Sequence, residues 1–154
     1  MRKKLTITAI IITILLALAL ILFVGIPKYK FSKDYELPKG LTPEQTIREF
    51  FEYIDGNNPK KANLISIEAR YDEFSFNTIT SASVDNIEYF GIPSNWNKYG
   101  TYYDSKEFLV NYECCYLPFA EEKVLFGPTG SIFFSLIKES KDSDWKIADI
   151  YTGP

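Results

Sequence analysis

The sequence predicts an α+β protein in which a membrane-spanning helix precedes two or three helices packed on a curved antiparallel sheet. Three patterns lead there. Leu5 to Ile26 is a run of 22 residues without a charge. Ile47, Phe50, Phe51 and Ile54 recur at the spacing of one helical face. From Ser81 onward, β-branched and aromatic runs alternate with turn-forming residues, and the last two runs read as a hairpin.

Bulk properties narrow the function classes. The chain has 154 residues, and the 127 beyond residue 27 suffice for one domain with a core of its own. A domain of that size buries roughly two-thirds of its unfolded surface. Aromatics make up 16% of the chain and bring large buried areas per residue. Of 17 basic residues, Arg2, Lys3 and Lys4 precede the apolar run, leaving 14 against 20 acidic ones, a net −6. Such a domain is a poor nucleic-acid partner and is not expected to lie flat on anionic lipid.

As a helix, Leu5–Ile26 would be about 33 Å long, enough to cross the hydrocarbon core of a bilayer. Residues 1–27 are therefore read as a signal anchor. A cleaved signal peptide is the rival, because Ala17-Leu-Ala19 offers a small-x-small site. Cleavage there would leave Leu20-Ile-Leu-Phe-Val24 at the new N-terminus, an unusual start for a soluble protein. Lysines flank both ends of the run, so the charge count does not orient it. The order of basic residues and then apolar run favours a cytoplasmic N-terminus and an extracytoplasmic domain.

Residues 28–40 mix charges with Pro38 and Gly40 and read as a tether. The domain, 41–154, opens on a helix. Thr42 is a good N-cap, Pro43 suits the first helical position, and Gln45 can close a capping box. Asp55-Gly-Asn-Asn-Pro59 ends that helix, and Asn58-Pro59 can start a shorter one carrying Ala62, Leu64 and Ile65. Ser81–Phe90 is a predicted strand in which Val84-Asp-Asn-Ile87 breaks alternation, as a bulge would. Gly91–Lys106 is a loop carrying Trp96, Tyr99, Tyr102 and Tyr103. Glu107–Leu117 alternates cleanly, with Phe108, Val110, Tyr112, Cys114 and Tyr116 on one face. The hairpin follows: Ser131–Lys138, a polar turn over Glu139–Asp144, and Trp145–Tyr151. Ser131–Lys138 is apolar on both alternating faces, which predicts that the hairpin sits in the middle of the sheet.

Two helices followed by three or four long antiparallel strands resemble the nuclear-transport-factor-2-like, or cystatin-like, cone fold. A narrower resemblance rests on the two ends of the domain. Thr42-Pro-Glu-Gln-Thr-Ile-Arg-Glu-Phe-Phe51 is similar to the helix that opens many such domains. Phe133-Phe-Ser-Leu-Ile-Lys138 and Trp145-Lys-Ile147 with Thr152-Gly-Pro154 resemble the end of the bacterial domain-of-unknown-function family 4829. The resemblance implies a cone-shaped domain, exported and membrane-attached. It carries over no catalytic residues, and this chain lacks the lipid-accepting Cys of many exported relatives.

The chain has no His, which removes imidazole bases, His metal ligands and Ser-His or Cys-His nucleophiles. With only two Cys and no Gly-rich phosphate loop, no metal and no cofactor is expected. Cys114 and Cys115 are adjacent in a predicted strand, so their side chains should point to opposite faces rather than form a redox pair. The Trp96–Tyr103 loop reads as a lid over the open end of the cone, or as a stacking platform. Glu121-Glu122 reads as a solvated turn, with cation binding as its rival.

The candidate ligand-binding residues are Asp149 and Tyr112. If the last strand is regular, Trp145, Ile147, Asp149 and Tyr151 share a face; Trp145 and Ile147 are expected in the core beside Phe50 and Phe51, and Asp149 then points into the cone too. Tyr112, on the core face of another strand, is then a donor for it. Otherwise the strand bends and Asp149 reaches water or a backbone N–H. The expected function is non-enzymatic binding of a small ligand or an envelope protein, with a homodimer through the sheet as one arrangement. The alternative is a cone-fold enzyme using Asp and Tyr for proton transfer.

Overall fold

The computed structural model describes residues 13–14, 36–67, 78–93, 101–117 and 127–152. Most of the apolar run and the first part of the tether lie outside them. Among the described residues no helix is long and apolar enough to cross a membrane.

The first helix, α1 (Pro43–Asp55), is started by the predicted cap. The Gln45 N–H donates to Thr42 Oγ1 at 3.2 Å, and the Thr42 N–H donates to Gln45 Oε1 at 2.8 Å. Two otherwise orphaned donors are thereby satisfied by two side chains. Ile47, Phe50, Phe51 and Ile54 are buried, as their spacing predicts. At the far end Asn57, not Gly56, takes the left-handed conformation (φ 49°). The second helix, α2 (Pro59–Leu64), is capped by Asn58, whose Oδ1 accepts the Lys61 N–H at 3.2 Å. It buries Ala62, with Ile65 just beyond, while Leu64 points to solvent.

Four antiparallel strands follow: β1 (Ile79–Gly91), β2 (Asp104–Tyr116), β3 (Thr129–Lys138) and β4 (Lys146–Tyr151). They lie in chain order, β1-β2-β3-β4, in one curved sheet. The expected break in β1 is real, since the register with β2 shifts between Val84 and Asn86. The hairpin corrects its expected position. β3 is interior, but β4 is the last strand of the sheet, not a central one. Its outer edge is covered by the segment after α2. Ser66 bridges Ile147 in parallel, Ile147 N–H donates to the Ile65 carbonyl at 2.8 Å, and Ile67 N–H donates to the Ile147 carbonyl at 2.9 Å. That pairing protects an edge that would otherwise invite another chain.

α1 packs on one face of the sheet. Phe50 meets Phe134 edge-on at 5.6 Å between centroids, and Phe51 lies against both Phe134 and Tyr112 at 5.9 Å. Phe108, Val110, Ile132 and Leu136 complete this core. Asp55 Oδ1 accepts the Ala82 N–H at 3.0 Å and ties the end of α1 to β1. Trp145 precedes β4 rather than belonging to it. It packs half-buried against the core, with Lys106 Nζ 5.3 Å from its ring centroid.

Candidate functional site

A one-residue slip in β4 decides where the candidate site residues point. Ser135 of β3 pairs with Asp149, but Leu136 pairs with Ile147, leaving Ala148 as an extra residue. Paired residues of an antiparallel ladder share a face, and a bulge interrupts alternation. Ile147 therefore joins Leu136 in the core, while Asp149 joins Ser135 on the face turned away from α1. The regular strand expected from the sequence, with Ile147 and Asp149 on one face, is corrected by this bulge. One partner of Asp149 is its neighbour's backbone: Oδ1 accepts the Ile150 N–H at 3.1 Å.

Tyr112 lies on the opposite, α1-facing side, 6% exposed. Its hydroxyl accepts the Gly127 N–H at 3.1 Å. Burial raises its pKa, and that N–H partly offsets the rise. Its ring crosses Gly130, where an added Cβ would stand 3.4 Å from the hydroxyl. Gly130 thus leaves room for the ring. Tyr112 and Asp149 are not brought together: they face opposite ways, and along β3 their partners are Gly130 and Ser135.

Other residues gather around Asp149. Glu107 sits opposite Ser135 on β2 and is only 6% exposed. A buried carboxylate needs hydrogen-bond donors. Glu107 Oε1 has two, the Tyr151 hydroxyl and the Ser135 hydroxyl, the latter at 3.4 Å. Burial, then the bond to Glu107 and its charge, push the Tyr151 phenol up to about 12, with the Asp149 charge adding to the rise. At neutral pH Tyr151 is therefore a hydrogen-bond donor. Its ring stacks on Phe133 at 5.5 Å, and Phe133 meets Phe90 edge-on at 4.9 Å. Phe90 is 60% exposed. The result is an aromatic ledge across the sheet, braced at one end by a buried carboxylate.

Glu107, Tyr151, Phe133 and Phe90 were not singled out from sequence. The one signal for them was the second apolar face of β3, which had to be covered by something. The cysteines behave as their alternation requires. Cys114 is buried, its thiol pushed up to about 11 chiefly by burial, and Cys115 is exposed; both are free. Of the loop aromatics, Tyr102 is half-buried and Tyr103 exposed, while Trp96, Tyr99, Glu121 and Glu122 lie outside the described residues.

The family model described as "Domain of unknown function (DUF4829)" matches residues 44–150. The chain belongs to that family. The match runs from the first turn of α1 almost to the end of β4, so both helices and all four strands form the DUF4829 unit. Glu107, Phe133, Ser135 and Asp149 fall inside it, and Tyr151 stands one residue beyond. The resemblance read from the two ends of the domain is thus borne out at the level of the family. No curated protein and no solved structure matches the chain.

Proposed function

We propose that this protein is a membrane-anchored, extracytoplasmic binding domain whose recognition surface is the Phe90–Phe133–Tyr151 ledge. Residues 1–27 serve as the anchor, 28–40 as the tether and 41–154 as a cone-type domain, with the N-terminus cytoplasmic. The observation that carries the binding role is the bracing of Tyr151 by Glu107. Flat rings held in place lose little entropy when a ligand stacks on them, which is how rigid aromatic surfaces gain affinity. Asp149, half-buried beside Tyr151, supplies a carboxylate at the edge of the ledge. The surface suits a small ligand or an envelope protein presenting an apolar face next to a hydrogen-bond donor.

The enzyme reading has one observation in its favour, the contact between a phenol and a carboxylate. A phenol pushed up to about 12 holds its proton at neutral pH and does not act as a base there. Glu107, engaged by two hydroxyls, serves better as a brace than as a proton acceptor. Binding is the stronger reading.

Its test is co-purification from detergent-solubilised membranes, comparing wild type with Phe133→Leu and with Leu64→Ser as a surface control. Phe133→Leu keeps apolar bulk but removes the stacked ring. A component retained by wild type and the control but lost from Phe133→Leu is the expected outcome. Equal retention by all three would remove the ledge from binding. Protease added to intact protoplasts should degrade the domain, and protection of the domain would reverse the orientation.

A further inference from the structure

One end of the sheet, where β1 runs out and β2 begins, carries most of the exposed large apolar side chains among the described residues of the domain. Tyr89, Phe90, Ile92 and Tyr103 are 57%, 60%, 68% and 59% exposed. Among the described residues of the domain, Leu64 is the one comparable side chain elsewhere. Single exposed apolar residues are ordinary, but several gathered in one region mark a contact surface.

The antiparallel register brings the incoming chain to that same end. Asp104, the first residue of β2, pairs with Lys138, the last of β3, and the Tyr103 N–H donates to the Lys138 carbonyl at 2.8 Å. The β3–β4 turn follows directly, and there Asp144 Oδ1 accepts the Gly40 N–H at 2.8 Å. Leu37 packs against the core just before it. The polypeptide coming from the N-terminal apolar run therefore joins the domain at the end where the aromatic residues lie.

We propose that this end is a landing surface for the lipid bilayer, with Tyr89, Ile92 and Tyr103 seated among the headgroups. The proposal rests on the reading of Leu5–Ile26 as an anchor. Between Ile26 and Leu37 the chain can span at most about 40 Å when fully extended, so the end it joins is held close to the membrane. Tyrosine rings are at home in that layer, with an apolar body and a wet hydroxyl. Charge favours the same end. Lys39, Lys106, Lys138, Lys141 and Lys146 stand there with Glu36, Asp104, Glu139, Asp142 and Asp144, close to balance apart from the buried Glu107, whereas the chain beyond residue 4 carries −6. Repulsion by anionic headgroups is weaker at this end than over the chain as a whole, which favours a domain that stands on its tip rather than lying on its side.

The full-length protein is tested in vesicles of phosphatidylcholine and phosphatidylglycerol. In a Cys115→Ser background, which leaves only the buried Cys114, an environment-sensitive fluorophore is attached at I92C or, at the opposite end of the sheet, at E113C. Both sites are exposed, so folding is not at stake. The expected result is a blue-shifted label at position 92, strongly quenched by nitroxide-headgroup lipid, and an unshifted, unquenched label at 113. A label at 92 as wet and unquenched as that at 113, in protein that survives a carbonate wash, overturns the landing surface and leaves the anchor standing. Release of the protein by the carbonate wash overturns both. A label at 92 that is unquenched by lipid but shielded as protein density rises would assign the tip to a second copy, and would also overturn the proposal.

Discussion

The face of the sheet that meets α1 and the face that carries Glu107 are built from the same four strands by different physics. On the α1 side every second residue from Phe108 to Cys114 in β2 and from Ile132 to Leu136 in β3 is apolar or aromatic, and Phe108, Val110, Phe134 and Leu136 are almost wholly buried against one amphipathic helix. Close packing alone completes that face. The other side combines Glu107, Ser135 and Asp149 with Phe133 and Tyr151, and it is completed by hydrogen bonds beneath stacked rings. A packed apolar face is interchangeable in its details, whereas a braced polar one holds particular side chains in particular places. The second kind is where recognition belongs.

The sharpest way to break this contrast is to damage the packed face. Phe134 is fully buried and touches both Phe50 and Phe51. Phe134→Ala should cost about 3–5 kcal/mol, through lost transfer energy and the cavity left behind. That is a large share of the stability of a domain this size, about 5–15 kcal/mol. Urea denaturation measures it, and a loss under about 1 kcal/mol would show that this face is not sealed by α1.

The packed face was also the legible one. Thr42 and Gln45 announce the helix start, the stripe Ile47, Phe50, Phe51 and Ile54 names its buried side, and the alternation of β2 names the residues it meets. Even the irregularity near Asp85 was visible, because it breaks a period. The other face was not legible, for two physical reasons. The bulge at Ala148 carries no glycine or proline, so Trp145–Tyr151 still reads as regular alternation while Asp149 has changed sides. Burial of Glu107 depends on Tyr151, 44 residues later, and no local pattern reports a partner so distant. The central position that the sequence predicts for the hairpin fails for a related reason. One apolar face of β3 meets α1, and on the other Phe133 packs against Phe90 and Tyr151, which does not require β4 to be central.

A smaller effect probes the braced face. Tyr151→Phe keeps the ring on Phe133 but takes a donor from a buried carboxylate, which should cost about 1–3 kcal/mol. The same hydroxyl sets an alkaline limit. Its pKa is raised from about 10 to about 12 on folding, so the folded state keeps a proton that the unfolded chain releases. The stabilisation is complete below pH 10 and is lost as pH rises towards 12. Wild-type stability should therefore fall across that window, and Tyr151→Phe should fall less steeply. Parallel profiles would mean that Glu107 and Tyr151 are not coupled.

The smallest expected effect applies the same substitution on the packed side. Tyr53 of α1 is 8% exposed, and its hydroxyl has no partner at full hydrogen-bond distance among the described residues. Burial first, then the Glu49 charge and the approach of the hydroxyl to the Glu49 carboxylate one turn earlier, push its pKa up to about 12. What its ring does contribute is packing, with Lys61 Nζ 5.6 Å from the centroid. Tyr53→Phe retains the packing and the cation–π contact and removes only a hydroxyl whose desolvation has no return. The change in stability should lie within about 0.5 kcal/mol of zero, or be slightly favourable. Tyr53→Phe and Tyr151→Phe, measured side by side, separate the two kinds of burial at constant chemistry. A loss at Tyr53 as large as that at Tyr151 would give its hydroxyl a hidden partner, such as an ordered water, and the packed side of the domain would then also depend on a polar bond.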